Sequence, residues 1–393
     1  MNISFNATSA ASVDTHLSKM NVSMEDKLSV WNAEEAEKYI VHDVFLVIYF
    51  IIGCIGNLCV IVVYGTKMKN TTESRYFIPI LAVADFFACA LRVPFDLWKN
   101  MLPVNFQNIL GCQIVWFFVN LFTFGSIFLL AVMTLQRYLK VCWPTKKQFS
   151  LRWRRMMLPL LAILSGAFSA PFIIWNEKLE IPNINLNVTG YICGANVLKI
   201  DKSSNSFISF ITFVSILLLT VMLELIILNS LIARTIYLHL KQKKVRQAQA
   251  AIYLQKTSTP TQSGTSATEI NSTGCSADSQ PDKIAEVSMV STKCLPESTE
   301  TKPKESVASR RFSYMFIAIG LAFIVSYIPQ IFLLFSLVHD RAFWVKISEI
   351  QTIVFKFLDQ MVAINNIVNP YIYGYFDVKF KSEVTNLMRC KRL

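Results

Sequence analysis

The sequence predicts an all-α membrane protein, a seven-transmembrane-helix bundle with a short amphipathic eighth helix. Three observations carry that prediction. The 393 residues are 53% hydrophobic and 16% charged, with a mean hydropathy of +0.43, whereas a soluble domain carries about a quarter charged residues. Seven apolar runs are each 20 residues or longer, the length that crosses roughly 30 Å of hydrocarbon as a helix. Basic residues collect in alternate connections, as the positive-inside bias requires. This composition argues against a cytosolic enzyme and a disulfide-dense scaffold. The net charge of +12 is scattered between apolar runs, so no nucleic-acid surface is expected.

Span one, Val44–Val63, has no charge, and neither do span three, Cys112–Leu135, span four, Met156–Trp175, or span six, Phe312–Val338. Span two, Tyr76–Leu97, carries Asp85, Arg92 and Asp96. Span five, Phe207–Ile232, carries Glu224, to which the pattern assigns no role. Span seven, Ile350–Tyr375, carries Lys356 and Asp359. The runs are twice the length of a membrane strand and do not alternate, which argues against a barrel. Beyond Tyr375, Phe376, Val378, Phe380, Val384 and Leu387 recur near helical spacing among basic residues, the pattern of a helix lying on the inner leaflet.

Arg137–Arg155 holds seven Lys or Arg and no acid, and Lys67, Lys69 and Arg75 precede span two. That bias places the N-terminus outside and the C-terminus in the cytoplasm of a multi-pass plasma-membrane protein. Residues 1–40 contain no apolar signal-peptide core, so span one is expected to direct insertion. Asn2, Asn6, Asn21 and Asn187 begin glycosylation triplets on the outer side. The chain then divides into a glycosylated tail, 1–41; spans one to five, 42–240; a third cytoplasmic loop, 241–309; spans six and seven, 310–375; and the amphipathic helix and tail, 376–393. The first part of the loop, His239 to Arg246, is basic and reads as a cytoplasmic extension of span five, whereas Thr257 to Ser309 is rich in Ser and Thr and poor in apolar residues, so disorder is expected there, as a phosphorylation platform or a bare tether. Cys390 is a candidate palmitoylation site or an idle thiol.

Topology also sorts the nine cysteines. Only Cys112, at the outer end of span three, and Cys193, after span four, face the oxidising side, so one disulfide is expected. No metal or phosphate-loop motif and no catalytic constellation appears; all four His lie outside the apolar runs.

Several short motifs then fall in one order. Gly56-Asn57 lies in span one and Leu81-Ala82-Val83-Ala84-Asp85 in span two. Gln136-Arg137-Tyr138 follows, its Arg 25 residues after Cys112, with Val141 and Pro144 behind it. Phe323 precedes Ser326-Tyr327-Ile328-Pro329 in span six, and Asn369-Pro370-Tyr371-Ile372-Tyr373 closes span seven with Phe380 seven residues on. In these motifs the chain resembles the rhodopsin-like (class A) G-protein-coupled receptors, over about residues 42–390. The resemblance implies that Asn57, Ser126, Asn365 and Asn369 converge on Asp85 around a sodium ion. The alternative is a polar knot that only joins helices. It also implies that Arg137 meets a heterotrimeric G protein when span six moves outward, with Pro329 as pivot and Tyr373 swinging inward. Arrestin, receptor kinases and membrane lipids are the further partners implied.

Departures from the family pattern carry their own expectations. Gln136 replaces the acid that would pair with Arg137, and Ser309 stands where some relatives have a Glu that clasps it. With both absent, a weakly held inactive state and measurable basal signalling are expected. Tyr327 replaces the usual Trp, Val221 the span-five Pro and Asn229 its inner Tyr, and the mid-span-four Trp is missing.

Val119 stands where amine receptors carry Asp, and Ala363 where opsins carry the retinal Lys, which disfavours an amine ligand and light sensing. The outer half instead gathers Arg92, Phe95, Asp96, Trp98, Tyr327, Lys356, Asp359 and Gln360. Charges buried in membrane helices mark sites. A peptide ligand is expected, with Arg92 taking a carboxylate or Asp359 a basic group. The bland alternative is an internal Arg92–Asp96 or Arg92–Asp359 pair. A small acid or lipid anchored on Arg92 is the second receptor reading, and a seven-span channel or transporter the reading from another class.

Overall fold

The computed structural model describes residues 23–68, 75–146, 148–197, 202–257 and 303–390. Helix α1, Met24–Glu37, lies ahead of the first apolar run, and Ser23 caps it by accepting from the Asp26 amide. The sequence reading foresaw no structure there, because α1 has almost no one-sided apolar pattern and its burial rests on Trp31 alone. Helix α2, Ile40–Thr66, carries span one; α3, Ile78–Met101, span two; and α4, Ile109–Cys142, span three. Span four is α5, Leu151–Ser169, plus a short α6, Pro171–Trp175. Strands β1, Glu177–Asn183, and β2, Val188–Gly194, then form an antiparallel hairpin.

Helix α7, Lys202–Thr257, carries span five and continues well past it, since the Lys, Arg, Gln and Ala of the extension are strong helix formers. Helix α8, Pro303–His339, carries span six, and a single turn, α9, covers Phe343–Lys346. Span seven is divided into α10, Glu349–Gln360, and α11, Val362–Phe376. At the break the amides of Met361 and Ile364 bond three residues back, to Leu358 and Met361, a local tightening of the helix. Helix α12, Val378–Cys390, follows. Among the described residues, six helical segments are individually long and apolar enough to cross a membrane, and α10 with α11 makes the seventh crossing in tandem.

The chain separates into two units, residues 1–236 with 310–393, and residues 237–309. In the first unit α2 packs along α3, α3 along α4 and α4 along α5, while α11 returns against α2 and α3. The core runs from Val60 and Val63 through Leu81, Ile127 and Leu130 to Leu225, Met315, Ile319 and Phe323. Outward faces are apolar too: Ile55, Ile163, Phe213, Leu321 and Phe335 are exposed. Such a surface is a liability in water and ordinary against lipid. In the second unit the described residues are the helical Tyr237–Thr257 and Pro303–Ser309. The disorder expected across most of the third loop falls outside the described residues, as do Asn2, Asn6 and Asn21 and the side chains of Ser309 and Cys390.

Candidate functional site

Cys112 and Cys193 form the expected disulfide, tying β2 to the start of α4. The hairpin folds over that end of the bundle, with the Tyr191 amide donating to the Val104 carbonyl and the Tyr191 carbonyl accepting from the Phe106 amide. Trp31 of α1 packs on Val104, Ile181 and Val188, so the N-terminal helix is seated on the hairpin. Lys38, just after α1, bridges Glu35 and Glu349 at 2.8 and 3.0 Å. Burial alone would lower its ammonium pKa, but the hydrogen bonds and charges of the two glutamates outweigh burial and raise it.

Beneath the hairpin lies a cavity of about 600 Å³, within the usual range for a ligand site. Its charged wall comes from α3 and α10. The Arg92 guanidinium donates to Asp359 at 3.0 Å and to Gln360 at 3.3 Å, and lies 3.5 Å from Asp96. Asp96 also meets Lys99 at 3.1 Å and accepts from Gln360 at 3.2 Å. Next to this network, Lys356 donates to the Asn100 carbonyl at 3.0 Å and rests 3.2 Å above the Tyr39 ring. Most of the remaining wall is apolar, including Phe172, Phe207, Ile211, Leu218 and Leu334, with Asn120, Thr123, Gln330 and Tyr327 also on the border.

A second polar site sits deeper. Asp85 is fully buried and accepts from Ser126 at 2.6 Å and Asn369 at 2.8 Å. At the far end from the hairpin, Arg137 donates to the Ser313 hydroxyl and lies 5.3 Å over the Phe312 ring. Arg75 stands at the same 5.3 Å from that ring and forks onto Asp377 at 2.8 and 2.9 Å.

The pattern of the seven-transmembrane receptors of the rhodopsin family matches residues 56–373. The chain belongs to that family. Galanin receptor 2b of Danio rerio is 31% identical over 41% of this chain and 44% of its own length. A neuromedin U receptor homologue of Caenorhabditis elegans is 28% identical over 34% of each chain. The type-1 angiotensin II receptor of Gallus gallus is 30% identical over 37% of this chain and 41% of its own. The chain thus spans less than half the length of the curated relatives it matches. The crystal structure of squid rhodopsin shares the fold, with a TM-score of 0.62 over 90% of this chain and 86% of that one at 18% identity.

In the receptor, six of the nine expected ligand residues border the cavity: Arg92, Asp96, Tyr327, Lys356, Asp359 and Gln360. Phe95, Trp98 and Val119 do not. Phe95 and Trp98 pack with Phe106 in an aromatic cluster beside Cys112, and Val119 is buried while Asn120 and Thr123 take the cavity face. Helical spacing placed these three near the right depth, but the rotation of each helix decided the face. Arg92 is also less available than expected, because two acids already hold it.

Only two of the four expected Asp85 partners reach it. Asn57 donates instead to the Gly53 and Asn366 carbonyls, at 2.9 and 2.8 Å, and Asn365 to the Asn366 side chain at 3.4 Å. Asn366 is a polar neighbour that sequence reasoning missed. Sequence reasoning also missed Tyr39, His42, Lys99 and Asn100. His42 lies outside the apolar runs, yet it is buried in α2 and borders the cavity. Asn100 falls one helical turn after Asp96, and that spacing was the available signal.

The switch residues also rearrange the expectation. Arg137 is buried and held by Ser313, one turn beyond Ser309, so a restraint exists without the missing acids. Tyr138 accepts from the Trp143 indole, Phe323 stacks on Tyr327 with centroids 4.3 Å apart, and Pro329 and Pro370 lie inside their helices. Tyr373 is fully buried against Phe380. Asn187 is exposed at the hairpin turn with a positive φ of 52°, a conformation that asparagine tolerates better than most residues.

Proposed function

We propose that this receptor binds an extracellular peptide in the cavity beneath the hairpin and activates a heterotrimeric G protein at the opposite end. The observation that carries the reading is the cavity itself, in which a charged wall faces an apolar one under a disulfide-tied hairpin. The names of the relatives, receptors for galanin, neuromedin U and angiotensin II, support a peptide. The orientation is the one the basic loops favour, with the hairpin outside and α12 on the cytoplasmic face. Arrestin and receptor kinases would meet the same face.

Coupling runs through a two-state helix. A ligand shifts the equilibrium by its differential affinity for the two states, and a G protein by its own. Here the inactive arrangement is held by Arg137 on Ser313 and Phe312, and the interior Pro329 removes one backbone bond from α8, which gives it a pivot.

Asp85 suits a sodium ion. Its carboxylate meets the Ser126 hydroxyl and the Asn369 amide, and the buried amide oxygens of Asn369, Asn57 and Asn365 have no hydrogen-bond partner among the described residues. A carboxylate, a hydroxyl and amide oxygens lacking donors are the ligand types of a hard cation. Bound there, sodium would supply charge compensation for Asp85 and hold α3, α4 and α11 together.

Ligand-free G-protein activation in cells, with Arg137→Ala beside the native chain at matched surface levels, tests the coupling. A basal signal that Arg137→Ala abolishes is the expected result. A signal unchanged by that substitution would sink it.

A further inference from the structure

We propose that Lys356 is the anion-binding subsite of the cavity and that the ligand presents a carboxylate to it. This rests on the reading of the cavity as the ligand site and names the chemistry that site selects. Five charged side chains border the cavity: Arg92, Lys99 and Lys356 against Asp96 and Asp359. The two acids are already engaged, Asp359 by Arg92 and Asp96 by Arg92 and Lys99. Among the charges on the cavity border Lys356 is left without a partner, and no carboxylate lies within ion-pair distance of it among the described residues, Asp43 being reached only through Asn100. A partly buried ammonium without a counter-ion is costly, and a ligand anion removes that cost.

The surroundings of Lys356 are built to hold it. Of its three protons, one goes to Asn100 and one face rests on the Tyr39 ring, so a donor remains. Accepting from Lys356 fixes the Asn100 amide, whose nitrogen then donates to Asp43 at 2.6 Å and to His42 Nδ1 at 3.0 Å. His42 Nδ1 is therefore the acceptor and Nε2 carries the proton. That Nε2–H is buried and has no hydrogen-bond partner among the described residues. The spare ammonium donor, on a residue that borders the cavity, is available to a carboxylate oxygen. The apolar wall opposite takes the hydrophobic part of the same ligand.

The test uses the purified full-length receptor in lipid nanodiscs and two matched pairs of probes. N-acetylphenylalanine is compared with its amide, and octanoate with octanamide, by thermal stabilisation, which rises with binding whether or not signalling occurs. The acid of a pair is expected to bind about tenfold tighter than its amide. The preference is expected to persist in Lys356→Arg and in Lys178→Gln, a hairpin lysine off the cavity border, and to vanish in Lys356→Gln. Equal binding of acid and amide by the native receptor, no stabilisation by either acid, or an acid preference that survives Lys356→Gln would each overturn the proposal. Octanoate bound through Lys356 while N-acetylphenylalanine is ignored would keep the anion subsite and remove the peptide reading instead.

Discussion

Arg137 of α4 donates to the Ser313 hydroxyl of α8, and the Phe312 ring beside it lies equally far, 5.3 Å, from the guanidinium carbons of Arg137 and Arg75. The aromatic ring of α8 is thus in contact range of two cations, one from α4 and one from the segment ahead of α3. Where the family pattern has an acid next to this arginine, the chain has the neutral Gln136.

Removing the clasp should raise basal signalling. A hydrogen bond to a charged group contributes about 1.5–3 kcal/mol, so Ser313→Ala should move the two-state population roughly ten- to a hundredfold toward the active form. Ligand-free G-protein activation at matched surface level measures it. Gln136→Asp should act the other way, because a carboxylate beside Arg137 adds an ion pair to the inactive state.

Asp377 is nearly inaccessible and takes two bonds from Arg75 and a longer one, 3.4 Å, from Tyr64. Breaking a buried pair strands a charge, at a cost of about 3–5 kcal/mol. Arg75→Leu should therefore lower thermal stability sharply, and Arg75→Leu with Asp377→Asn should recover part of the loss. Unfolding curves of the three variants decide it.

Asp85→Asn should remove any dependence of stability on sodium. Purified receptor melted in sodium chloride and in the chloride of a bulky organic cation should differ, and the variant should not. Equal melting of the native receptor in both salts would discard the ion.

The Cys112–Cys193 bridge closes a sequence separation of 81 residues, a loop for which the chain-entropy relation gives about 4.5 kcal/mol. Cys112→Ser should lower the melting temperature and loosen the hairpin over the cavity, seen as faster amide exchange in β1 and β2.

At Gly190 an added Cβ would stand 2.7 Å from the Val104 carbonyl oxygen and 2.8 Å from the Trp31 ring. Gly190→Ala should therefore push α1 off the hairpin, at a cost of about 1–3 kcal/mol. Faster exchange confined to α1 would be the sign.

What the sequence determined by itself was set by strong, additive local terms. Twenty apolar residues in a row cost too much in water to be anything but a span or a core, and the order of Asn57, Asp85, Arg137, Pro329 and Asn369 carried the family. The cysteine pair was legible because compartment left one choice. Tertiary structure alone decided which neighbours meet. Helical spacing gives depth along a span to within a turn, but rotation about the axis is set by packing against other helices. So Phe95, Trp98 and Val119 turned into the core, Asn57 bonded to backbone carbonyls instead of Asp85, and Arg92 was taken by two acids from different helices. Helix α1 escaped notice because its single anchor, Trp31, finds its partners about 70 to 160 residues away in sequence. The surplus charge on Lys356 was equally invisible, since an ion left over is known only once every other pair has been made.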